Sequence, residues 1–162
     1  MKKWGFILFI VTLILGCTSH KDVSDAYILS VYNDQDKLFE EDGMPFGINV
    51  LGVAEDRLTY LFLLDVKAEE VKTTSGTQVR RTARKDNMEL TFSEGKCNRV
   101  IFTLPKTQRT LEKAAAYSEK YKRKKEEGEN FVYYYIGRKK NLELGIVFGP
   151  STIQFGLIDL SL

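Results

Sequence analysis

The chain has 162 residues, 43% of them hydrophobic and 28% charged, with 24 basic side chains against 22 acidic ones and a formal net charge of +2. That balance suits one domain with a real core, without internal repeats or low-complexity segments, and it does not imply a nucleic-acid partner. One histidine and two cysteines leave little material for Ser-His-Asp or Cys-His catalysis, or for a disulfide framework.

The first predicted element is apolar. Lys2 and Lys3 form a basic head, Trp4 to Leu15 an almost unbroken apolar run, and Gly16 and Cys17 close it. Such a run makes a helix of roughly 18 Å, too short for a hydrocarbon core of about 30 Å, whereas a basic head, a short apolar middle and a small residue at the cleavage point are what a secretory signal needs. Ile14-Leu15-Gly16-Cys17 resembles the lipobox of bacterial lipoproteins, although Leu15 stands where that class more often carries a small residue. The resemblance implies cleavage after residue 16, a diacylglyceryl group on the Cys17 sulfur and a palmitate-type acyl chain on its amine. Two or more chains make such anchoring stable. The membrane would then be reached through lipid on Cys17, and the mature 146 residues would carry 22 basic and 22 acidic side chains. In a Gram-negative cell, Thr18 lacks the Asp that resembles an inner-membrane retention signal. The expected place is therefore the outer membrane, facing the periplasm.

Residues 17–25 read as a lipidated tether and 26–162 as a single globular domain. Ala26 to Tyr32 is β-prone and reads as the first strand, with an amphipathic helix continuing to Phe39 as the alternative. Asn33 to Gly43 is acidic and turn-rich. Phe46 to Ala54 and Leu58 to Val66 read as a hairpin joined at Glu55-Asp56-Arg57. Lys67 to Thr77 reads as a polar connection and Gln78 to Arg84 as a polar edge strand. Met88 to Phe92 alternates as a strand with one buried face does, and Arg99 to Leu104 is its expected partner across a turn holding Cys97.

Lys106 to Glu127 is rich in Glu, Lys, Arg and Ala, and Gly128 stands where a C-terminal cap belongs, so one main helix is expected over about 106–127. Asn130 to Ile136, Leu142 to Phe148 and Thr152 to Leu160 follow as strands separated by Gly, Pro, Asn and Ser. The expected fold is α+β, an antiparallel meander of about 8–9 strands with that helix packed on it.

The search for chemistry yields no G-x-S-x-G elbow, P-loop or zinc helix, and His20 lies in the tether. No catalytic, cofactor-binding or metal-binding residue is expected. A carboxylate-based hydrolase stays the least favoured reading, because no Asp/Glu pair stands out. The acidic stretch 34–42 fails as an EF-hand, with Leu38 at a ligand position, and reads as a solvated loop.

Lys120, Lys122, Arg123, Lys124 and Lys125 complement the dipole of a helix C-terminus or form a patch for an anionic surface. Phe131, Tyr133 and Tyr135 alternate with Val132, Tyr134 and Ile136, so both faces of that strand are apolar and read as core, or else as a concave surface for a lipid or peptide. Cys97 reads either as an exposed thiol open to an intermolecular disulfide or as a thiol tucked beside the sheet.

The first expectation is a non-enzymatic envelope lipoprotein that binds an envelope protein, in assembly, exclusion or immunity. The alternative is a carrier holding a lipid or other hydrophobic ligand between sheet and helix.

Overall fold

In the computed structural model, described over residues 24–33, 50–74, 76–136 and 141–162, three helices lie against one antiparallel sheet. The helices are α1 (Asp25–Asn33), α2 (Glu55–Phe62) and α3 (Gln108–Lys120). The strands are β1 (Val66–Thr73), β2 (Gly76–Lys85), β3 (Met88–Ser93), β4 (Lys96–Pro105), β5 (Lys124–Glu127), β6 (Phe131–Ile136), β7 (Leu142–Phe148) and β8 (Thr152–Asp159). Helical content is small, so the domain is mainly β and roughly consistent with α+β. The signal, the tether up to residue 23, Cys17, His20 and the acidic stretch 34–42 lie outside the described residues.

The sheet order β1-β2-β3-β4-β8-β7-β6-β5 is two meanders set side by side. After β4, α3 carries the chain to the far edge, and β5 to β8 then walk back inward until β8 pairs antiparallel with β4. Ala83, Leu90, Val100, Leu157, Leu144 and Tyr134 stand opposite one another from β2 to β6. All six are buried, so one hydrophobic row spans both meanders.

The helices cover that face. In α3, Ala114 and Tyr117 are buried, Tyr117 meets the Phe155 ring edge-on at 6.2 Å, and the Tyr134 hydroxyl donates to Ser118 Oγ at 2.7 Å. Leu58 and Phe62, four residues apart on α2, are buried in the same core, and Tyr32 of α1 packs on Phe62 with ring centroids 5.0 Å apart.

Several sequence expectations give way here. The main helix ends at Lys120, not Glu127, and Tyr121 caps it in an extended conformation. Lys124 to Glu127, despite their helix propensity, pair with the aromatic strand β6, because cross-strand packing outweighs propensities of a few tenths of a kcal/mol per residue. Gly128 is no helix cap. Its N–H donates to Phe131 O, and a Cβ there would meet the Phe131 ring at 2.5 Å.

Ala26 to Tyr32 is helical, as the alternative reading has it, because Ile28 and Tyr32 share one face directed at the core, while its continuation to Phe39 lies outside the described residues. Leu58 to Phe62 is helical as well. Its β-prone residues follow Glu55 and Asp56, acidic groups suited to a helix N-terminus. Val50 to Val53 still runs beside β4: Gly52 N–H donates to Cys97 O, Cys97 N–H donates to Val53 O, and Ala54 bridges Lys96. Lys67 to Thr73, expected as a connection, forms β1, which makes β1 rather than β2 the edge strand.

Candidate interaction surface

The side chains that point away from the helices form a second face with a different composition. Tyr133 on β6, Gly145 on β7, Gly156 on β8 and Ile101 on β4 stand side by side. Gly145 is required by packing, since a Cβ there would lie 2.5 Å from the Tyr133 ring. Gly156 is not, because a Cβ there would meet only Ile101 Cγ1 at 3.6 Å and a main-chain oxygen at 4.0 Å. The space it leaves is a trough of about 40 Å³ walled by Tyr133, Val147, Ile101 and Ile158, with Arg99 and Gln154 among its lining residues. A glycine inside a strand with no internal reason for it marks a place where another group can approach closely.

One row along, Thr91, Arg99, Ile158, Glu143 and Tyr135 stand opposite one another. Glu143 is buried, and Lys125 Nζ donates to its Oε2 at 2.5 Å while lying 5.7 Å from the Tyr135 ring centroid. That hydrogen bond holds the Lys125 ammonium pKa above its ordinary value. The β-bulge between Lys124 and Glu126 directs Lys125 to this face. At the other end of the row, Thr91 Oγ1, Asn98 Oδ1 and Arg99 Nε are buried without a hydrogen-bond partner. They gather where the β3–β4 register shifts between Thr91 and Phe92. Leaving such groups unpaired costs about 1–3 kcal/mol each.

The basic run is dispersed. Lys120 ends α3 and lies 5.4 Å from the Tyr121 ring centroid, Lys124 pairs with Glu127 at 2.6 Å, and Lys125 is held by Glu143. Lys122 and Arg123 sit exposed in the α3–β5 connection. Only Lys120 belongs to a helix end, so the dipole argument fails for the other four.

The aromatic strand divides as its alternation requires. Val132, Tyr134 and Ile136 are buried under the helix side, and Phe131, Tyr133 and Tyr135 are half-buried on the trough side. Expected core on both faces is therefore core on one face only, among the described residues.

Cys97 is fully buried on β4, not in an exposed turn. Its Sγ donates to Arg99 O at 3.4 Å, and burial pushes its thiol pKa up to about 12. A partner thiol could reach it only if this part of the sheet opened.

Sequence reasoning missed the trough, since its lining comes from four strands and its defining residues are glycines. A larger open cleft of about 550 Å³ lies at the sheet end by Tyr32, Asp86, Asn87 and Thr103. There Tyr32 donates to Asp86 Oδ2 at 2.9 Å, and its phenol pKa is pushed up to about 12, chiefly by burial and then by that bond.

Among the described residues no cluster of three or more His, Cys, Asp and Glu side chains could hold a metal ion, and no helix is long and apolar enough to cross a membrane. A comparison with protein-family models, with curated proteins and with solved structures finds no match to this chain.

Proposed function

We propose that the chain is an envelope lipoprotein, held at a membrane through lipid on Cys17, whose sheet-and-helix domain binds an envelope protein without catalysing a reaction. The observation that supports this best is the outer sheet face. Its half-buried Tyr133, Ile101, Val147 and Ile158 border an unfilled trough, and three buried polar atoms beside it lack partners. A side-chain tip from a partner would fill the trough, and the partner's main chain or side chains would supply the missing hydrogen bonds. Interfaces of this kind place an apolar centre within a polar rim. Arg99, Gln154 and the Lys125–Glu143 pair provide that rim here. In a Gram-negative cell the partner would face the periplasm.

The test is capture with the full-length protein from solubilised envelopes, beside the variant Gly156→Leu, which fills the trough. One stoichiometric protein retained by the parent chain and lost with Gly156→Leu supports the reading. Equal capture by both, or no stoichiometric protein, overturns it. Separately, mass spectrometry of the mature N-terminus should find lipid on Cys17. An intact Met1 would remove the anchoring half of the proposal.

A further inference from the structure

β1 and β2 pair in one unbroken register from Val66–Ala83 to Thr73–Gly76. The β2–β3 pairing reaches only Arg81–Phe92. The five pairs from Glu69–Arg80 to Thr73–Gly76 therefore extend past the sheet as a two-stranded arm, roughly 17 Å long at 3.4 Å per residue. Among the arm's described residues none is buried and only Val71 is half-buried. Lys67 to Glu70 and Gly76 to Arg81 are all exposed, and Val79 is 61% exposed. A two-stranded ribbon without an apolar face is marginal by itself, yet β1 carries no proline or bulge, and no covering segment among the described residues, of the kinds that blunt an edge strand. Charge is its one guard, and the charge is of both signs.

The open side of β1 has a defined hydrogen-bonding phase. The two-residue connection between Thr73 and Gly76 closes on a hydrogen-bonded pair, so alternation along the ladder directs the N–H and C=O groups of Lys72, Glu70 and Ala68 away from β2. The side chains follow the order Lys67, Ala68, Glu69, Glu70, Val71, Lys72, which is palindromic in charge. An antiparallel copy paired about the centre of that palindrome would set Glu69 against the partner's Glu70 and Lys67 against the partner's Lys72, and like charges opposed across strands destabilise the pairing. Moving the two-fold axis onto Val71 reverses this. Glu70 then faces the partner's Lys72, Lys72 faces the partner's Glu70, and both pairs fall on the residues whose main-chain groups point outward. Val71 meets the partner's Val71 between them. This register uses the projecting half of the arm, clear of the base where Arg81 is held by Glu55 of α2 at 2.6 Å.

We propose that the β1 edge is a self-association surface, at which a second copy of this chain pairs antiparallel about Val71 and joins the two sheets into one. The proposal rests on the arm alone and stands or falls separately from the function proposed above.

Cross-linking of the purified full-length protein tests it. Val71→Cys should form a disulfide dimer on mild oxidation, because a non-hydrogen-bonded antiparallel pair brings Cα atoms to about 4.5 Å, within disulfide reach. Lys124→Cys, on the opposite edge of the sheet, should not. Lys72→Glu should lower the dimer fraction at least tenfold, and the swap Glu70→Lys with Lys72→Glu should restore it. A monomeric parent chain at micromolar concentration in light scattering, cross-linking at Val71→Cys no stronger than at Lys124→Cys, or a swap that restores nothing would each overturn the proposal.

Discussion

The two meanders contribute four strands each, but their outer strands differ in length and attachment. β5 has four residues, carries a bulge at Lys125, and is fastened inward by the hydrogen bond from Lys125 to the buried Glu143. β1 has eight residues, pairs without a shift, and among the described residues meets the body at its base. One edge is short, bent and charged, as edges that avoid pairing are, and the other is long and regular. The difference teaches that the edges of a single sheet can serve opposite ends. Where a strand end is pinned to the core, its sequence is tied to packing. Where it projects, its sequence is free to carry charge order.

The comparison presumes that the meanders share one core, and large core truncations test that first. Phe62→Ala removes an α2 anchor over the first meander, and Phe155→Ala removes the ring under Tyr117 in the second; both side chains are fully buried. Each should cost about 3–5 kcal/mol in one cooperative urea transition followed by circular dichroism. Two separated transitions would divide the sheet into independent halves and break the comparison at its root.

The fastening of β5 comes next. Lys125→Met leaves the Glu143 carboxylate buried without its donor, and should cost about 1–3 kcal/mol. Adding Glu143→Gln should recover part of that loss. Arg81→Ala breaks the ion pair that steadies the arm's base, but Arg81 is 47% exposed, so solvent screening should keep its loss well below that of Lys125→Met. Equal losses from Lys125→Met and Arg81→Ala would erase the proposed difference between the edges.

Alkaline pH probes the first meander through Cys97. The folded thiol pKa is raised from 9.0 to about 12, chiefly by burial. Between those values the unfolded chain releases the proton while the folded chain keeps it, so the contribution is complete below pH 9 and is lost as pH rises toward 12. Stability should fall by up to about 1.4 kcal/mol per pH unit across that window. Lys125 acts in the same direction at higher pH, since its folded pKa lies above 10.5 and its contribution disappears as pH climbs through that value. Urea midpoints from pH 8 to 10 should therefore decline less steeply in Cys97→Ala than in the parent chain. Parallel declines would show that Cys97 is not the source.

What could be read from the chain before its structure follows the same division. β3, β4 and β8 were legible because one face of each is buried and the alternation is visible, as in Met88-Glu89-Leu90-Thr91-Phe92, and β6 and β7 because they are short, apolar, β-prone runs between turn residues. β1 was not, because its two half-buried residues, Val66 and Val71, stand five positions apart among exposed ones and carry no alternation, and its Thr and charged residues read as a loop. Leu58 to Phe62 misled for the opposite reason: Leu, Tyr and Phe suit either element, and only the spacing of Leu58 and Phe62 marks a helix. The end of α3 depended on Tyr121 packing against Tyr134, with ring centroids 6.5 Å apart, a contact no local propensity encodes. The basic run was visible, but its dispersal rested on Glu143, a residue eighteen positions from Lys125 that gave no sign of being buried. The trough lay in the pairing of Gly145 with Gly156, and register of that kind becomes visible only when β7 and β8 are aligned.

The smallest expected change in stability is also the sharpest separation of the two edges. Replacing residues 70–79 by Asn-Gly would close Glu69 onto Arg80 through a tight turn and leave the Arg81–Glu55 pair intact. The arm buries no core side chain, so the urea midpoint should move by no more than the roughly 0.5 kcal/mol typical of surface changes. Self-association measured by light scattering should disappear in the same variant. A shift above about 1 kcal/mol in monomer stability would make the arm a structural part of the fold. Unchanged stability with full self-association would move the contact elsewhere on the molecule. Only the combination of an undisturbed fold and a lost dimer matches an edge whose regularity serves pairing with a second copy of the chain.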